Sequence, residues 1–113
     1  MSNQNIFDKI SRHLLAQNKQ SLNLDLSSVY KDIYGNKSAI GCLINDKLYD
    51  KYNLKNICPS TEILIQIINE SGYQIDEKIF DMIIVLESLH DCREPKDWPK
   101  RLKQIAKEYN LYG

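Results

Sequence analysis

Cys42, His90 and Asp91 are the residues whose types could support covalent chemistry in this chain. Cys42 follows Gly41 at the expected start of a short helix, where the helix dipole lowers a thiol pKa and favours the nucleophilic thiolate. With His90 as general base, oriented by Asp91 or Glu87, such a cysteine could drive a hydrolase or transferase reaction. Geometry decides the matter: the Cys42 sulfur must lie within hydrogen-bond reach of His90, in a partly open cleft. The competing reading is structural. A free cysteine is most often a small buried apolar side chain. A histidine at the centre of an apolar helix face is most often a core residue satisfied by a carboxylate or a backbone group.

The same segment carries a metal-like spacing. Glu87 and His90 stand three residues apart and share a helix face, the Glu-x-x-His arrangement of carboxylate-bridged di-iron sites. Those sites need a second copy on another helix, and His13 has no glutamate three residues before it. The His90-Asp91 pair is also similar to the metal-binding dipeptide of helical HD phosphohydrolases. His13 could supply an upstream ligand, but Asp97 is too near Asp91 to supply the downstream one. The expectation is no metal and no cofactor.

Two groups suggest binding. Tyr30, Tyr34, Tyr49 and Tyr52 crowd the middle of the chain. Tyrosine buries area while keeping a polar tip, which suits either an interface or the sealed edge of a small core. Lys100 and Lys103, with Lys96, Arg101 and Lys107, give the last helix a basic face that could meet an anionic ligand or nucleic acid. A solvated helix face, its late lysines complementing the dipole, explains the same pattern. No glycine-rich phosphate loop accompanies it, and the formal net charge is zero, so a nucleic-acid partner is not expected. Cys42, Cys58 and Cys92 are irregularly spaced, which reads as reduced thiols rather than a disulfide framework.

Apolar periodicity indicates which elements hold these residues. Ile6, Phe7, Ile10 and Leu14 place a helix at about Asn5–Gln20. Residues 21–38 lose that period, with alternating Leu22, Leu24 and Leu26 and a turn at Gly35-Asn36. Ser38 can cap a short helix over Ala39–Ile44, and Leu48, Tyr49 and Tyr52 suggest a further turn. Ser60 and Asp76 read as caps of two stronger helices, the first with Ile63, Leu64, Ile67 and Ile68 inward and stopped by Gly72. The second, to about Asp91, turns Ile79, Phe80, Ile83, Leu86 and His90 inward. Trp98, Leu102, Ile105 and Tyr109 form the buried line of a last helix with Pro99 in its first turn. The sequence shows no internal repeat.

With 113 residues, 42% hydrophobic and 27% charged, the chain fits one domain, residues 1–113, able to bury a core without staples. The fold class expected is mainly α: a single-domain bundle of about four to five helices, with room for a short β-hairpin near residues 28–38. Neither a secretory signal nor a membrane span of roughly 20 apolar residues is visible, which points to the cytoplasm and to no membrane partner.

Four pieces together resemble a family of uncharacterised small bacterial and phage proteins. They are the tyrosine-containing turn before Gly35, the Ala-Ile-Gly-Cys-Leu-Ile run at Ala39–Ile44, continuing to Asp50, the Ser-Leu-His-Asp at Ser88–Asp91, and the Trp98-led helix over Asp97–Leu111. Ser38 stands where relatives often carry a second cysteine, which puts a required cysteine pair in doubt. The resemblance implies a shared fold and an origin in a phage or mobile element, and no activity. The function expected is a small accessory protein that binds another protein. The alternatives are the Cys42–His90 enzyme and an anion binder using the last helix.

Overall fold

Five helices form where side chains cap them and apolar stripes can be buried. In a computed structural model, which describes residues 2–113, α1 spans Asn3–Gln17, α2 Asp46–Lys51, α3 Thr61–Glu70, α4 Glu77–Cys92 and α5 Trp98–Glu108. Ser2, Asn45, Ser60 and Asp76 each accept a backbone N–H in the first turn of α1, α2, α3 and α4, satisfying donors that no helix can satisfy internally. Helix α1 stops three residues before the expected end because Asn18 turns left-handed at φ 50° and sends its N–H back to the Leu14 carbonyl. Ser60 and Asp76 cap as their sequence context indicates.

The helices bury one cluster. Ile6, Ile10 and Leu14 of α1 meet Ile67 and Ile68 of α3, Ile83 and Leu86 of α4, and Trp98 and Ile105 of α5, all at 2% exposure or less. Trp98 lies under His90, with ring centroids 5.8 Å apart, and donates its indole N–H to the Arg93 carbonyl at 3.2 Å. Ile63, expected inward, is 42% exposed, and Ile84, beside the buried Ile83, is exposed to the same degree.

No sheet forms among the described residues, and the short hairpin expected near 28–38 is reduced to one antiparallel bridge, Lys31 with Lys37, closing the second of two like turns. Two antiparallel bridges, Leu22 with Ser28 and Lys31 with Lys37, close two tight turns in tandem. Each hydrogen bond of the first recurs nine residues later in the second. Asn23 N–H meets the Ser27 carbonyl, and Asp32 N–H the Asn36 carbonyl. Leu26 N–H meets the Asn23 carbonyl, and Gly35 N–H the Asp32 carbonyl. Val29 N–H meets the Ser21 carbonyl, and Ser38 N–H the Tyr30 carbonyl. The left-handed residue is Leu26 in one turn and Gly35 in the other, at φ 69° and 85°. The chain thus carries a short repeat of backbone conformation that has no counterpart in its side chains.

The helix expected over Ala39–Ile44 is only a 3₁₀ turn, Gly41–Leu43, capped by Ser38 through a hydrogen bond to Gly41 N–H at 3.0 Å. Gly41 is required by crowding: a Cβ there would sit 1.9 Å from the Tyr30 carbonyl oxygen. Gly41→Ala should therefore cost about 1–3 kcal/mol through forced backbone displacement. Trp98→Ala should cost about 3–5 kcal/mol by emptying the space beneath His90. Urea denaturation of the two variants against the wild type measures both. A midpoint unchanged in either would show that the packing described at that position is wrong.

Candidate functional site

The polar residues of α1 and α4 converge on the turn segment between Ser21 and Ser38. Nε2 of His90 accepts the buried backbone N–H of Ser21 at 2.9 Å. The ring proton must then sit on Nδ1, where it is donated to Asp91 Oδ1 at 2.7 Å. Gln20 donates its amide to the carbonyls of His90 and Arg93. At the far end of the segment, Gln17 exchanges two hydrogen bonds with the backbone of Lys37, and His13 donates Nε2–H to the Lys37 carbonyl at 2.8 Å. Burial lowers the His13 pKa, only partly opposed by that bond.

Glu87 closes the arrangement. Its carboxylate accepts the Ser38 hydroxyl at 2.9 Å and the Ile40 N–H at 3.2 Å, pinning the 3₁₀ turn to α4. Burial, reinforced by the negative charge of Asp91, raises its pKa to about 7, against the two hydrogen bonds and His90, which lower it.

The pairing of Cys42 with His90 does not form among the described residues. The Cys42 thiol donates to its own helical neighbour, the Ala39 carbonyl, at 3.1 Å. Burial pushes the thiol up to about 12, so it stays protonated. A three-residue 3₁₀ turn also supplies no macrodipole of the kind that activates a helix-start cysteine. His90 is wholly buried and has committed both nitrogens, one to Ser21 and one to Asp91.

Ligand atoms of Glu87, His90 and Asp91 lie within 4.8 Å of one another, so their spacing suits a metal. The tautomer opposes it. A metal on Nδ1 would place the ring proton on Nε2, facing the Ser21 N–H donor.

The binding candidates divide. Tyr49 and Tyr52 are half-buried and donate their hydroxyls to the Gly41 carbonyl and the Glu70 carboxylate, so they seal the edge of the core. Tyr30 is half-buried, its pKa raised by burial and by neighbouring Cys58 and Glu87. Tyr34 is 79% exposed on the tip of the second turn. Lys100 and Lys103 are exposed and form no ion pair among the described residues, as a solvated face would.

Sequence reasoning missed a cleft of about 450 Å³, bounded by the end of the first turn, the 54–58 loop and α4. Tyr30, Lys55, Cys58, Glu87 and Asp91 reach it. The loop that contributes Ile57 and Cys58 has no period to read, and the inward face of Glu87 became visible only with the 3₁₀ turn in place. Ile84, next to the buried Ile83 in the chain, is 42% exposed on the cleft rim, which the helical period does not indicate.

Glu87 makes stability depend on pH. A carboxyl with an ordinary value of 4.5 that rises to about 7 in the fold stabilises the folded state fully below 4.5. That contribution is lost as the pH climbs through 7. The wild type should lose about 1–3 kcal/mol relative to Glu87→Gln between pH 4.5 and 8, the glutamine keeping the Ile40 bond without titrating. Urea titrations across that range measure the difference, and a difference that does not change with pH would refute the shift.

Comparison with protein-family models, curated proteins and solved structures finds no match to this chain.

Proposed function

We propose that this chain is a protein-interaction module whose contact surface is the pair of tandem turns. One observation carries the reading. Leu24, Leu26, Ile33 and Tyr34 stand on the turn tips at 85, 76, 68 and 79% exposure, on a backbone clamped at both ends. Scattered exposed apolar residues need no explanation, but four large ones on two rigid turns are the signature of a surface made to be covered.

The local energetics agree. Leu26 is left-handed, a conformation costing a residue with a Cβ roughly 1–2 kcal/mol, and its side chain lies mostly in solvent. The equivalent position in the other turn is glycine. Strain without a packing return is found where a side chain serves recognition. Asp25 and Asp32 stiffen the turns. Asp25 accepts the N–H and hydroxyl of Ser27, and Asp32 accepts the N–H groups of Tyr34 and Asn36. Burial pushes the Asp32 pKa up, but the hydrogen bonds from Asn36 and Tyr34 outweigh it and hold the carboxyl below its usual value.

No helix is long and apolar enough to cross a membrane. The family resemblance of Ala39–Asp50, Ser88–Asp91 and Asp97–Leu111 implies a phage or mobile-element setting, and a cytoplasmic location remains part of this proposal. Against a Cys42 enzyme stand the protonated thiol and the committed ring of His90. Of the α5 lysines, Lys103 reaches a small hollow against α1, but its walls are mainly apolar and include Asp8, which does not favour the third reading.

Leu26→Gly should raise stability by about 1 kcal/mol while weakening partner binding. The triple variant Leu24→Ser, Ile33→Ser, Tyr34→Ser should keep its urea midpoint and lose the partner. Quantitative affinity capture from the native host, wild type against variants, reads both. Capture of the same partner in equal amount by the triple variant would refute the assignment.

A further inference from the structure

The cleft beside the turns has a chemical character of its own. Its walls are apolar, formed by Val29, Ile40, Leu54, Ile57, Leu64 and Ile84. Ile57 and Ile84 form an exposed rim at 53 and 42%. One end is acidic. Glu87 and Asp91 lie one turn apart on α4, and both line the cleft. Like charges at that spacing repel and destabilise a helix. No lysine or arginine forms an ion pair with either among the described residues. Lys55 lines the cleft without pairing with them, and Asp91 holds only the ring N–H of His90. A volume of about 450 Å³ falls within the roughly 300–1,000 Å³ of ligand pockets.

We propose that this cleft receives a lysine or arginine side chain, carried beside an apolar residue on an extended segment of a partner protein. The apolar residue covers Ile57 and Ile84, and the cation sits between Glu87 and Asp91. The proposal rests on the interaction reading and names the chemistry of the partner. Charge complementarity selects the occupant: an acidic or neutral segment leaves the two carboxylates facing each other. Continuity supports a polypeptide source, because Ser28, Val29 and Tyr30 both close the first turn and form one wall of the cleft. A partner lying across the turn tips would reach the cleft without a break.

Binding of the cation is linked to protons. The groups facing the Glu87 carboxyl are Ser38 and Ile40 N–H from the 3₁₀ region, and Asp91 and His90 from its own helix. Tyr30, Lys55 and Cys58 line the cleft around it. A bound cation favours the ionised carboxyl, so affinity rises as the pH passes the value of about 7 and binding below it releases a proton.

The test uses the full chain, isotopically labelled for amide NMR, and the capped peptide Ac-Ala-Leu-Arg-Leu-Ala-NH₂. The peptide should shift the amides of Val29, Leu54, Ile84 and Glu87. Replacing its arginine with citrulline, a neutral near-isostere, should weaken binding at least tenfold. Affinity for the arginine peptide should rise severalfold from pH 6 to 8 in the wild type and stay flat in Glu87→Gln. Asp91→Asn, which can still accept the His90 proton, should weaken binding while leaving the spectrum of the free protein folded. The turn-tip triple variant should bind the peptide within twofold of wild type, so failure of this cleft and failure of the turn-tip surface are separately visible. Equal binding of the citrulline peptide, or no binding of the arginine peptide at millimolar concentration, would overturn the proposal. Binding of free agmatine without binding of the peptide would also overturn it, in favour of a small-molecule site.

Discussion

A buried backbone N–H must find an acceptor, and the rest of this structure depends on where Ser21 found one. Its partner is the ring of His90, which lies at 0% exposure against Trp98. An unsatisfied buried donor costs about 1–3 kcal/mol, so the histidine fixes the point where a sheetless segment enters the body of the protein. The exit is fixed in the same manner. Gln17 and His13 hold Lys37, and Glu87 holds Ser38 and Ile40. Residues 21–38 have few backbone partners beyond their own turns. The helices therefore spend polar side chains to do what neighbouring strands would do in a sheet.

That assignment accounts for the ambiguity of the same residues in the sequence. Histidine, glutamate and aspartate on one helix face are the raw material of an acid–base site, a metal site or a set of backbone clamps. Spacing along α4 does not separate the three. The discriminating information is the identity of the atom opposite His90 Nε2, and that atom lies 69 residues away in the chain. Cys42 is a parallel case. A cysteine after glycine suggests a helix start, whereas Gly41 is there because the Tyr30 carbonyl leaves no room for a Cβ.

The helices themselves were legible, for a local reason. Ser60, Asp76 and the Trp98-Pro99 start are signals read within four residues, and the stripes of Leu64, Ile67, Phe80, Ile83, Leu102 and Ile105 repeat at the helical period. The tandem turns were not legible, because their identity lies in backbone conformation. Asn23 and Asp32, or Leu26 and Gly35, occupy equivalent places with different side chains, and the second turn needs none of the strain that the first accepts. The cleft was hidden for another reason: three separate stretches build it, and only α4 has a readable period.

Natural sequences are locally consistent except where another demand intervenes. This chain departs from local consistency in two places: a left-handed leucine displayed to solvent, and two carboxyls one turn apart that lack a cationic side-chain partner. Glu87 and Asp91 serve the fold as acceptors, but their lack of a cation and the displayed leucine do not, and both features abut the strip Ser28–Tyr30 that joins the first turn to the cleft. A core-driven account would leave the two departures unrelated. A surface that is completed by contact joins them, because one second molecule can both cover the leucine and bring a cation to the carboxyls.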